Sequence, residues 1–194
     1  MHFPPSALGL GLLAALVATS ATAAEPPVPA YPSPPRPVSL VSEIRLGGSV
    51  HEIGGNKEES GAIVGEVLSP KLFTTADLFT SYFVPRVHVG GSMNLGHKTS
   101  FAYAGLTWTV DITPNWFVEG TFGGAIHDGH TGPGVDPTRN ALGCSPLFRE
   151  SASIGYRFNA NWSIMATVEH LSNAGLCDRN RGLTNLGARI GYTF

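Results

Sequence analysis

The feature that most constrains this chain is a period-two hydrophobic pattern that returns eight times after Val38. Side chains alternate between the two faces of a strand, so such a pattern gives each strand one apolar and one polar or small face. The segments are Ser39–Val50, Gly61–Leu68, Pro85–Leu95, Thr99–Asp111, Trp116–Ile126, Leu147–Phe158, Trp162–Leu171 and Leu183–Phe194. In the fifth, Trp116, Val118, Phe122 and Ile126 share one face, and Glu119 and Thr121 the other. In the last, Leu186, Ala188, Ile190, Tyr192 and Phe194 oppose Asn185, Gly187, Arg189 and Thr193. Apolar outside and polar or small inside is the pattern of a barrel in lipid, where only closure satisfies every backbone group. Aromatic residues near strand ends (Trp108, Trp116, Tyr156, Phe158, Trp162, Tyr192, Phe194) suit interfacial girdles. The expectation is all-β: an eight-stranded antiparallel transmembrane β-barrel of the outer membrane. A soluble β-sandwich is the alternative.

Composition supports the first reading. Charged residues make up 13% of the chain, about half the usual share for a soluble domain. The net charge of −2 offers no general attraction to nucleic acid. At the N-terminus, Leu8–Val17 is an apolar run too short to span a bilayer, and Ala21-Thr22-Ala23-Ala24 reads as a small-residue cleavage site. The n-region departs from the usual pattern, holding His2 but no Lys or Arg. The expected organisation is a signal peptide over residues 1–23, a proline-rich tether over 24–37 and the barrel over 38–194.

The connections alternate in length. Asp111–Asn115 and Asn159–Asn161 are short, whereas His127–Pro146 and Ser172–Gly182 are long and rich in Gly, Asn, Asp and Pro. Outer-membrane barrels have short periplasmic turns and longer extracellular loops. Ser69–Val84 is too long for a periplasmic turn, and is expected to hold extended strand or a short amphipathic piece.

The seventh strand then runs outward to His170-Leu171-Ser172-Asn173-Ala174-Gly175-Leu176. His170 and Ser172 are two apart and share a face, placing a potential base beside a potential nucleophile. That face is the lipid-facing one, where a polar pair is costly unless it sits at the interface or acts there. Arg179 and Arg181 lie in the same loop, where they would either pair with lipid phosphates or stand as ordinary solvated loop charge.

This heptapeptide resembles the signature of the PagL-type lipid A 3-O-deacylases, outer-membrane esterases acting on lipopolysaccharide. The resemblance is close over about the last 25 residues and otherwise lies in the barrel-like rhythm. It implies a serine esterase with lipid A as substrate and no metal or cofactor. It makes Ser172 the nucleophile, His170 the general base, and Asn173, Ala174 and Gly175 donors to an oxyanion hole. The family places a glutamate fourteen residues after the histidine, and this chain has Thr184 there. Threonine can accept a hydrogen bond from imidazole but supplies no negative charge to an imidazolium.

A replacement acid follows from register. On the sixth strand Phe148, Glu150, Ala152, Ile154, Tyr156 and Phe158 share the outward face. A three-residue turn at Asn159-Ala160-Asn161 would pair Tyr156 with Ile164, Ala152 with Val168, and Glu150 with His170. Glu150 is therefore the proposed acid, while Glu169 points to the lumen.

Cys144 and Cys177 form an even pair in an exported chain, which favours a disulfide holding the catalytic loop against its neighbour; two free thiols are the alternative. His127-Asp128-Gly129-His130 lacks a third convincing ligand, so no metal site is assigned. The competing function is a non-enzymatic small outer-membrane barrel, of the envelope or adhesion type, with a degenerate active site. Pairing of barrels into a homodimer is left open by the sequence.

Overall fold

A computed structural model describes residues 40–53, 58–132, 134 and 136–194; the expected signal peptide and tether fall outside the described residues. Eight strands form: β1 (Glu43–His51), β2 (Ser60–Lys71), β3 (Arg86–Asn94), β4 (Phe101–Asp111), β5 (Trp116–His127), β6 (Leu147–Arg157), β7 (Trp162–Ser172) and β8 (Leu183–Thr193). One short helix, α1 (Leu78–Phe83), lies between β2 and β3. Each strand pairs antiparallel with its sequence neighbour, and β8 pairs with β1 to close the barrel. Closure removes both sheet edges, so every strand backbone finds a partner without water.

The two faces separate as the alternation requires. Leu46, Ile63, Val89, Val118, Ile164 and Ile190 stand exposed on the outer wall. Inside, Arg45, Glu66, Glu119, Arg149, Glu169 and Arg189 are buried. These charges neutralise one another. Arg45 pairs with Glu43, Glu66 and Glu119, and Arg189 joins Glu66 to Glu169. Arg149 pairs with Glu169 at 2.7 Å while its guanidinium lies 3.7 Å from the Tyr103 ring centroid. Buried charges are tolerable only when paired in this way. Among the described residues no helix is long and apolar enough to cross a membrane. Strands make the crossing.

The connection left uncertain by the sequence contains both expected pieces. β2 continues to Lys71, and α1 follows with Asp77 as its N-cap, accepting from Thr80 N–H at 2.8 Å. At the opposite rim, Phe101, Tyr103, Ala125, Leu142, Leu147, Leu171 and Leu183 form an apolar cork inside the barrel. Leu171 and Leu183 point inward, so the cork fixes the strand ends whose alternate residues point outward at the site.

Candidate active site

The outer ends of β6, β7 and β8 build the site. The cross-strand register places Glu150 opposite His170 and Phe148 opposite Ser172 on one side, and Thr184 opposite His170 on the other. The pairing of Tyr156 with Ile164 and of Ala152 with Val168 is the one set by the Asn159-Ala160-Asn161 turn. His170, Ser172 and Thr184 are half-buried, and Glu150 is exposed. His170 therefore sits between two outward-facing oxygen-bearing side chains, at the extracellular end of the apolar wall.

The ring is held from the β8 side. His170 Nδ1 lies 2.8 Å from Thr184 Oγ1. With the threonine oxygen as acceptor, Nδ1 carries the proton and Nε2 keeps its lone pair. Glu150 shares the register with His170, but no hydrogen bond or ion pair joins its carboxylate to the ring. The expected acid is in the right row without touching the base, and threonine occupies the nitrogen it would need. No hydrogen bond joins Ser172 Oγ to His170 either.

Gly182 completes the cradle, and the sequence reading passed it over. Its φ is +72°, and a Cβ there would stand 2.9 Å from His170 Cε1 and 3.2 Å from Nε2. The glycine thus gives the imidazole edge room beside the end of β7. Its carbonyl accepts from Asn140 Nδ2 at 3.2 Å, and Asn140 also donates to Glu52. The signal was available in principle: Gly182 follows in register from the pairing of Leu171 with Leu183.

The three expected oxyanion donors divide differently from the expectation. Asn173 is buried, and its Nδ2 donates to Leu142 O at 2.9 Å and to Arg179 O at 2.5 Å. Its Oδ1 accepts from Gly175 N–H at 2.9 Å. Two side-chain hydrogens and one amide are therefore committed to holding the loop, because a buried amide must find partners. Ala174 has φ +54° and Gly175 φ +79°, and Leu176 N–H closes the turn onto Asn173 O. Among the three, only the Ala174 N–H has no hydrogen-bond acceptor.

The two long loops are tied together above the site. Cys144 and Cys177 form a disulfide, and Arg181 N–H donates to Ala141 O. His127 is spent on the same structure: Nε2 bonds Cys144 O at 2.9 Å and Nδ1 accepts from Gly129 N–H. Arg179 is exposed with no ion-pair partner among the described residues, whereas Arg181 lies 3.9 Å from Glu52. Beside Phe148, an apolar groove of about 470 Å³ runs between Phe122, Pro146, Leu147, Leu176 and the disulfide.

No curated protein sequence matches this chain. Among the solved structures that match it are the following three. The crystal structure of the outer membrane enzyme PagL aligns with a TM-score of 0.61 and 15% identity, over 79% of this chain and 100% of that one. A de novo designed transmembrane β-barrel gives 0.48 and 13%, over 80% and 98%. The Yersinia pestis outer membrane protein Ail in a phospholipid nanodisc gives 0.43 and 11%, over 79% and 99%. The last two are too distant to bear on the site. The family model of lipid A 3-O-deacylase (PagL) matches residues 77–193, from the turn before α1 to the end of β8. That span is well over half of the chain and includes every residue of the site, so this outer-membrane barrel belongs to the lipid A 3-O-deacylase (PagL) family.

Proposed function

We propose that this protein hydrolyses the 3-position acyl ester of lipid A in the outer leaflet, with Ser172 as nucleophile and His170 as base. One observation carries the assignment of roles: the 2.8 Å contact between His170 Nδ1 and Thr184 Oγ1. It orients the ring so that Nε2 is the free base on the face shared with Ser172. Ser172 Oγ attacks the ester carbonyl as Nε2 takes its proton. The negative oxygen that forms is met by the Ala174 N–H. The imidazolium then protonates the departing sugar 3-oxygen, leaving an acyl-serine. A water, deprotonated by the same nitrogen, releases the fatty acid and restores the serine.

Thr184 acts as a positioning residue where the family has a carboxylate. Glu150 faces the ring from the other neighbouring strand and stabilises the imidazolium through space, without a hydrogen bond. Arg179, uncommitted at the rim, suits a lipid A phosphate. The site's place on the lipid side of the wall favours an enzyme over a purely structural barrel, since such polar residues are costly there.

Mass spectrometry of lipid A from cells expressing the protein tests the reading. Loss of the 3-position acyl chain is expected with the wild type, and an unaltered lipid A with Ser172→Ala. Unaltered lipid A with a correctly folded wild-type barrel would instead favour the degenerate, non-enzymatic barrel.

A further inference from the structure

The aromatic girdle at the periplasmic end has a gap over β1–β3, and the connection between β2 and β3 is rich in aromatic residues. Trp108 on β4, Trp116 on β5, Tyr156 on β6, Trp162 on β7 and Tyr192 on β8 all stand toward that end. Neighbouring rings touch across strands: Trp116 and Tyr156 have centroids 5.1 Å apart, Trp162 and Tyr192 4.9 Å. β1, β2 and β3 contain no Phe, Tyr or Trp at all. The connection between β2 and β3 supplies what they lack, with Phe73, Phe79, Tyr82 and Phe83.

This segment is held against the outer wall, not under the barrel mouth. Trp108, an outward-facing residue of β4, donates its indole N–H to Phe83 O at 3.2 Å. Lys71 at the end of β2 donates to Ser81 O and Oγ at 2.6 and 2.7 Å. α1 is thereby pinned at two points, yet none of its six residues is buried. Leu72, Phe73, Leu78, Phe79 and Phe83 are each more than half exposed. A helix this short has no stability of its own in water, and its apolar side chains have no protein to cover them.

We propose that α1 and the preceding Leu72-Phe73 are an interfacial anchor, seated in the phospholipid of the periplasmic leaflet where headgroups meet acyl chains. The anchor completes the girdle over β1–β3. Continuity is the argument: Phe83 adjoins Trp108, and Trp108 belongs to the lipid-facing row that includes Leu106 and Val110. A second copy of the chain is a poorer occupant, because a stable interface needs about 800 Å² per partner and a six-residue helix presents far less. Phe and Leu side chains on a short segment suit the headgroup–acyl boundary, and the Tyr82 ring adds the amphipathic kind enriched there.

The full-length protein, with Cys144–Cys177 oxidised, is refolded into phosphatidylethanolamine–phosphatidylglycerol vesicles carrying one environment-sensitive fluorophore. Phe79→Cys is the test position, Val110→Cys on the outer wall the lipid reference, and Asn159→Cys in the turn the water reference. The label at position 79 is expected to be quenched by brominated lipid as strongly as that at 110. Quenching as weak as at 159 overturns the proposal. So does protection that appears only at high protein-to-lipid ratio, which would make a second copy the occupant. Independently, Leu78→Ser with Phe79→Ser and Phe83→Ser should lower the yield of folded barrel in vesicles severalfold while leaving deacylation per folded barrel unchanged. The labelling result stands even if that triple variant does not fold.

Discussion

Thr184→Val removes one oxygen and keeps the shape of the side chain, and it isolates the contact on which the catalytic reading turns. In the resting site Thr184 Oγ1 lies 2.8 Å from His170 Nδ1. On the proposed mechanism the imidazole becomes an imidazolium during attack, so this neutral bond becomes charge-assisted when the barrier is crossed. Hydrogen bonds to charged groups contribute about 1.5–3 kcal/mol, and each 1.36 kcal/mol is tenfold in rate. Losing the bond should therefore lower kcat about 10- to 100-fold, with KM little changed because the bond removed is one to the His170 ring. The outward, half-buried position leaves the interior packing untouched, so heat-modifiable gel mobility should be that of the wild type. Purified barrel assayed on lipid A in mixed micelles gives both constants. Thr184→Glu, which restores the family carboxylate, should raise kcat above wild type. The opposite pattern refutes the reasoning: wild-type kcat in Thr184→Val together with a collapse in Glu150→Gln would make Glu150 the group that orients the ring. On the present geometry Glu150→Gln should cost only severalfold, since an exposed carboxylate acting without contact contributes about 1 kcal/mol or less.

Gly182→Ala should push the imidazole edge aside and strain a backbone at φ +72°, lowering kcat at least tenfold for about 1–2 kcal/mol of lost stability, read from parallel kinetics and urea titration. Replacing Cys144 and Cys177 together by serine opens a closed 33-residue span, for which chain entropy alone gives about 3.7 kcal/mol; limited proteolysis should then cut the loops while the strands stay protected. Arg149→Leu leaves Glu169 only the longer 3.5 Å ion pair with Arg189 inside the barrel and should cost about 3 kcal/mol, seen as a lower urea midpoint for the folded gel band.

The strands and their register were legible because the constraint on them is binary. An outward-facing row in lipid must be apolar, so a slip of one residue would turn Arg45, Glu66 or Arg149 outward. The same logic set Glu150 opposite His170, and the observed ladder has that pair. It could equally have set Thr184 and Gly182 beside the ring, since the β7–β8 ladder obeys it too. Register fixes which side chains are neighbours. It does not fix which neighbour makes the bond. That choice depends on rotamer and reach, and the short threonine on β8 meets Nδ1 while the glutamate on β6 extends into the surroundings.

The loop shows the same limit from another side. Asn173 and Gly175 carry the groups an oxyanion hole needs, and composition alone cannot say whether those groups are free. In the fold they are consumed by Leu142 O, Arg179 O and the side-chain oxygen Oδ1 of Asn173 itself. A buried amide with four hydrogen-bonding positions is more useful as a clamp between two loops than as a single donor, because leaving any position empty costs the full desolvation penalty. The motif then has a division of labour that its sequence conceals. Asn173 Nδ2 holds the β5–β6 loop at Leu142 O, Gly175 turns the chain, and on the proposed mechanism the Ala174 N–H between them is the donor to the developing charge. Asn173→Ala should accordingly behave as a loosened loop, with faster proteolysis and a lower kcat together. Loss of kcat with full loop protection would return the asparagine to the oxyanion hole.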